Sequence, residues 1–85
     1  MSTVDVDRLT TATQRAIGTN QTTKAINRGA ARVVYVAQDA DRRVTEPVVQ
    51  AARERGVEVI EIASMTALGR ACGIAVGAAT AAVLE

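Results

Sequence analysis

The chain has 85 residues, 48% of them apolar and only one, Tyr35, aromatic, so a single packed domain is expected, while disorder and binding through rows of stacking aromatics do not fit. Ten basic residues face nine acidic ones, a formal net charge of +1, which weighs against a nonspecific nucleic-acid coat. One cysteine and no histidine exclude an internal disulfide framework and a zinc site built from Cys and His.

A domain of this size buries about two-thirds of its unfolded surface. Its core has to be branched aliphatics packed against many small residues. The longest apolar run, at the C-terminus, is too short and too rich in Gly and Ala for a membrane span. No charged-then-apolar N-terminal segment suggests secretion. A cytoplasmic location, with no membrane partner, is the expectation.

In chain order, Val6, Leu9, Ala12 or Thr13, Ala16 and Ile17 recur at helical spacing, which predicts an amphipathic helix over residues 3–17. Asp5 and Asp7 suit its first turn and Arg15 its last. Arg8 and Arg15 read as a solvated face. Gly18 ends the helix.

Residues 18–29 then read as a turn opening a short helix. Gly18 frees the backbone, Asn20 is the expected N-cap, and Gly29 stands in the C′ place. The mouth of such a helix offers unpaired N–H groups and a positive dipole end. Beside it stand two amides, Asn20 and Gln21, and one turn further on Lys24. Amides and a lysine around a helix mouth suit phosphate oxygens and purine edges, so this stretch is the candidate RNA-contacting element. Up to Arg32, five cations (Arg8, Arg15, Lys24, Arg28, Arg32) face only Asp5 and Asp7, so the basic excess sits on the same third of the chain.

The β-branched run 32–37 predicts a central strand buried on both faces. Gln38, Asp39, Ala40 and Asp41 follow as a turn, the two carboxylates serving as backbone caps rather than catalytic acids. Thr45, Glu46 and Pro47 predict the start of another helix, ended by Gly56. Residues 57–62 alternate as a half-buried strand. Ser64 caps a short helix through Met65, Leu68 and Ala71. Cys72 reads as a small buried hydrophobe without a histidine partner for nucleophilic catalysis. Residues 73–77 form a loop whose glycines follow a helix, not a strand, so they are no dinucleotide fingerprint. Alanine favours helix over residues 78–84, but the alternation of helices with apolar strands favours a last strand. Four helical segments interleaved with strands imply an α/β fold, a three-layer α/β/α sandwich.

Three blocks carry a resemblance: residues 18–25 with Arg28 and Gly29, residues 36–41, and residues 68–79. In order and in register, they resemble the signature of the kink-turn-binding large-subunit ribosomal protein family. The short length and the wording Ala71-Cys72-Gly73-Ile74 resemble its small bacillus-type branch. The resemblance covers essentially the whole chain. It implies a mixed four-stranded sheet, and a monomer that binds kink-turns, sharp bends in RNA built on tandem sheared G·A pairs. By resemblance, Asn20, Gln21 and Lys24 contact the guanines of those pairs, and Gly18 and Thr19 bring backbone amides to phosphate. Ile74, Ala75 and Val76 form the apolar loop over the extruded nucleotide, and Arg28 and Arg70 contact the backbone.

Many relatives carry Glu at the positions of Gln21 and Ala75. A glutamine carbonyl still accepts a hydrogen bond from guanine, without charge assistance. The resemblance thus implies a non-catalytic protein without cofactor or metal, one domain over residues 1–85. Ribosomal RNA, a riboswitch or another structured RNA, and the ribosome itself, all fit as partners. The second reading, motivated by Gln21, Ala75 and the near-neutral charge, is a protein-interaction module of the same fold. No constellation of residues supports a third, a small α/β enzyme.

Overall fold

The computed structural model describes residues 8–84. In chain order these form a helical turn over residues 8–11 (α1), β1 (Arg15–Ile17), α2 (Thr19–Asn27), β2 (Val33–Ala37), α3 (Arg42–Glu54), β3 (Glu58–Ile62), α4 (Met65–Ala71) and β4 (Thr80–Val83).

The sheet order is β1-β4-β2-β3. β2 pairs in parallel with β3 through the α3 crossover and antiparallel with β4, which pairs antiparallel with β1. The sheet is therefore mixed and four-stranded, as the resemblance implied. All five residues of β2 are buried, as expected of a β-branched run flanked by strands on both sides. Side chains alternate along it. Val33, Tyr35 and Ala37 pack with Leu9, Leu68 and Cys72, while Val34 and Val36 pack with Ala25, Ile26, Val48 and Ala52. One sheet thus carries α1 and α4 on one face and α2 and α3 on the other, the expected α/β/α sandwich. β4 is a strand despite its alanines because its backbone has a partner on each side. Its small buried side chains let helices close in on both faces.

Two expectations about element boundaries are corrected. Of the helix predicted over residues 3–17, residues 3–7 lie outside the described residues. Among the described residues of that stretch, helix covers residues 8–11, closing with Ala12 N–H to the Arg8 carbonyl at 3.0 Å. Residues 15–17 are instead the edge strand β1, in register with Val83, Ala82 and Ala81. Ala16 and Ile17 looked helical because both are apolar. In the fold they face opposite sides of the sheet, and three residues are too few to fix a period.

The second correction concerns α3, which begins at Arg42 rather than at Thr45. Asp41 is its N-cap, its carboxylate accepting from the Arg43 N–H at 2.8 Å. The Arg43 guanidinium also bonds that carboxylate at 2.8 Å, holding the Asp41 carboxyl below its ordinary range. Pro47 therefore lies inside the helix, on its exposed side, where its missing N–H leaves one carbonyl without a helical partner. Other sequence signals stand. Ser64 Oγ accepts from Ala67 N–H at 3.0 Å, and α2 closes with Gly29 and Ala30 N–H donating to the Ile26 and Ala25 carbonyls.

Two hydroxyls, of Thr22 and Thr80, are fully buried and have no hydrogen-bond partner among the described residues. Both lie beside Gly18, which accepts from Thr22 N–H and donates to the Thr80 carbonyl. Valine keeps the shape of threonine and removes the polar atom. Thr80→Val and Thr22→Val are each expected to raise stability by about 1 kcal/mol, read as an upward shift of the urea midpoint at unchanged slope.

Candidate functional site

The ends of β1, β2 and β3 and the start of β4 lie at one end of the sheet, where α2, α3 and α4 also begin. α3 and α4 have side-chain caps there. Asp41 caps α3, while Ser64 and Asp39 serve α4, Asp39 Oδ1 accepting the Met65 N–H at 2.8 Å. Both carboxylates are thus occupied as caps, as the turn chemistry predicted.

α2 differs. Its N-cap is Gly18, at φ +92°, which turns the chain from β1 into the helix in a single residue. No side chain caps it, unlike α3 and α4. The first bond of the helix runs from Thr22 N–H to the Gly18 carbonyl at 2.9 Å, so the Thr19, Asn20 and Gln21 N–H groups precede any helical partner. Asn20 is consequently not the cap expected of it. Gly18 takes that position, and Asn20, at the second helical residue, keeps an exposed side chain without a hydrogen bond among the described residues. The result is an open, positive helix end with an amide beside it.

Along α2, Gln21, Lys24 and Arg28 follow helical spacing and line one groove with Ala16 and Ile17 of β1. Asn20, at the tip, and Lys24, four residues on in the last turn, are neighbours along the helix surface. Arg28 is the C-cap residue, about 6 Å beyond Lys24 along the axis. Arg70 is exposed in the last turn of α4 and does not line this groove.

The segment after α4 folds back along it. Ile74 N–H donates to the Gly69 carbonyl and Ala78 N–H to the Met65 carbonyl, both at 3.0 Å. Of the three residues the resemblance assigned to this loop, Ile74 is half-buried and packs inward on the core. Ala75 is exposed, and Val76 is 70% exposed. Gly69 makes the fold-back possible, because a Cβ there would overlap the Val76 carbonyl oxygen. Its role was missed at the sequence level, although a glycine inside a short helix, costing about 1 kcal/mol against alanine, signals a close approach.

Tip and loop border the same end of the sheet. Gly18 N–H bonds the Thr80 carbonyl at 2.9 Å, and Val76 precedes Thr80 by four residues, a reach of at most about 14 Å. Arg15, expected on a solvated face, is instead half-buried. Its guanidinium reaches the Leu9 and Ala71 carbonyls at 3.3 and 3.5 Å, tying the end of α4 to α1. Burial pushes the neighbouring Cys72 thiol up, with Arg15 pulling the other way. No group of three or more His, Cys, Asp or Glu side chains that could hold a metal ion occurs among the described residues.

These features define a small α/β/α domain that presents an open polar helix tip and a braced apolar loop at one end of a mixed sheet. The chain belongs to the ribosomal protein L7Ae/L30e/S12e/Gadd45 family, whose model matches residues 4–85. An RNA-binding protein of Bacillus pumilus is 44% identical over 78 residues, covering 92% of this chain and 95% of that one. The large ribosomal subunit protein eL8 of Halobacterium salinarum is 44% identical over 68 residues, 79% of this chain and 57% of that one. Among solved structures, the Giardia lamblia 15.5kD RNA binding protein superposes with a TM-score of 0.84 at 32% identity, over 94% of this chain and 68% of that one.

Proposed function

We propose that this chain is a non-catalytic RNA-binding protein, a single domain that recognises and stabilises kink-turns as a monomer in the cytoplasm. The observation that carries the reading is the uncapped tip of α2, with Asn20 and Gln21 beside it, Lys24 one turn further along, and an exposed apolar loop at the same end of the sheet. Ordinary A-form RNA buries its base edges in a deep, narrow groove, so a specific reader needs a deformed site. Short polar side chains on one helix tip suit two adjacent purines of sheared pairs. Val76 offers an apolar surface for an unstacked base, and the free N–H groups suit phosphate. The names of the relatives support the RNA class: RNA-binding proteins and a ribosomal protein.

The mechanism is selection. Only the bent conformer presents both purine edges and the free base together, so binding draws the RNA ensemble towards it. The test is a gel shift with a kink-turn RNA and a variant in which the sheared pairs are replaced by Watson–Crick pairs. Tight binding of the first alone is expected. Equal affinity for both would remove the kink-turn from the reading.

A further inference from the structure

We infer that the RNA interface continues past Lys24 along three cations, Arg28, Arg32 and Arg55, which hold the phosphate backbone of a stem flanking the kink; this rests on the function proposed above. Arg28 lines the groove between α2 and β1 together with Lys24. Beyond Gly29 a second groove opens between the C-terminal turns of α2 and α3, and Arg32 and Arg55 line it. All three side chains are exposed, and none makes an ion pair or hydrogen bond among the described residues. Arg43 and Arg15, by contrast, are engaged with Asp41 and with backbone carbonyls.

Two carboxylates are near. Glu54 lines the second groove and Glu58 opens β3 just beyond it, and neither bonds the arginines. The strip stays net positive on a chain whose formal charge is only +1.

Its course begins at Arg28, about 6 Å beyond Lys24 along α2, and passes to Arg32 and Arg55 in the second groove. Three cations spread over two grooves suit a track of successive phosphates rather than one. All three are arginines, whose forked donors match phosphate geometry. A regular stem offers such a track without requiring base readout. The contact is therefore sequence-independent and adds affinity only when a stem is long enough to reach it.

The test is fluorescence anisotropy with the full chain and an Arg32→Ala/Arg55→Ala variant, on kink-turn RNA with long stems and with stems trimmed to a few pairs, across a salt series. On long-stem RNA the variant is expected to bind about 10-fold more weakly at low salt, with a log–log salt slope shallower by roughly 1.5–2. On trimmed RNA the two proteins should bind alike. An Arg32→Lys/Arg55→Lys variant should keep most of the slope. Unchanged affinity and slope on long stems, the result if the strip serves an acidic protein, would overturn the inference, as would equal loss on both RNAs. Failure of the underlying reading looks different: the unaltered chain would not distinguish intact from disrupted sheared pairs, whatever stands at Arg32 and Arg55.

Discussion

Gly69→Ala is expected to destabilise the protein by about 2 kcal/mol, against the usual direction of such a change. Glycine to alanine inside a helix normally gains about 1 kcal/mol. Here the new Cβ meets the Val76 carbonyl oxygen, and the Val76 carbonyl carbon and Gly77 Cα lie 3.1 and 3.2 Å away. All three are backbone atoms, which cannot swing aside as a side-chain tip can. Overpacking of this kind typically costs about 1–3 kcal/mol, occasionally more, so the clash outweighs the propensity gain. Relief requires the loop to lift from α4, breaking the bonds that Ile74 and Ala78 make to the Gly69 and Met65 carbonyls. For a domain of this size a 2 kcal/mol loss lowers the melting temperature by roughly 10 °C. A melt followed by circular dichroism reads it directly, and a variant as stable as the parent would show that the loop does not rest on Gly69. Well below its melting transition, the variant is also expected to bind kink-turn RNA more weakly, because Val76 would no longer be held at the sheet end.

Lys24→Ala and Asn20→Ala are expected to leave stability within about 0.5 kcal/mol and to weaken kink-turn binding by about 1–3 kcal/mol each. Both side chains are exposed, and neither bonds to anything among the described residues, so the fold loses little. The proposed complex would lose donors at a purine edge, where an unmet polar group is costly. Isothermal titration at fixed salt measures the loss, and the same titration on RNA without the sheared pairs separates base contact from general charge. If Lys24 meets the guanines, its removal should matter far less on that RNA. Equal losses on both RNAs would reduce Lys24 to a nonspecific cation.

Much of the fold was legible where the signal is local. The β-branched run of β2, the Ser64 cap, Asp41 as the cap of α3, and Gly29 and Gly56 as helix ends all act within a few residues of themselves; Asp39 was legible as a cap, but the N–H it serves, that of Met65, lies 26 residues on. The amide–lysine pattern of the candidate site was legible in the same way, because it rests on side chains one helical turn apart. Misreadings arose where a distant partner decides. Residues 15–17 carry no strand pattern, yet β4 pairs with them from the far end of the chain. Arg15 looked solvent-facing until the carbonyls of Leu9 and Ala71 were brought to it. Thr45 and Pro47 form a plausible helix start, but Asp41, with its Arg43 partner, caps one turn earlier.

By itself, then, the sequence determined the helical segments α2 to α4 and the apolar strands β2 and β3, the layered class they imply, and the polar chemistry carried by residues 20–24, because propensity, capping and periodicity act over a few residues. Tertiary structure alone decided that β4 lies between β1 and β2, that Gly18 rather than Asn20 caps α2, and that Gly69 lets the apolar loop rest against α4 at the same end as the helix tip. Those outcomes depend on backbone hydrogen bonds and steric fit between segments as far apart in sequence as Gln14 and Leu84, or Gly18 and Thr80, and no local pattern encodes such pairings.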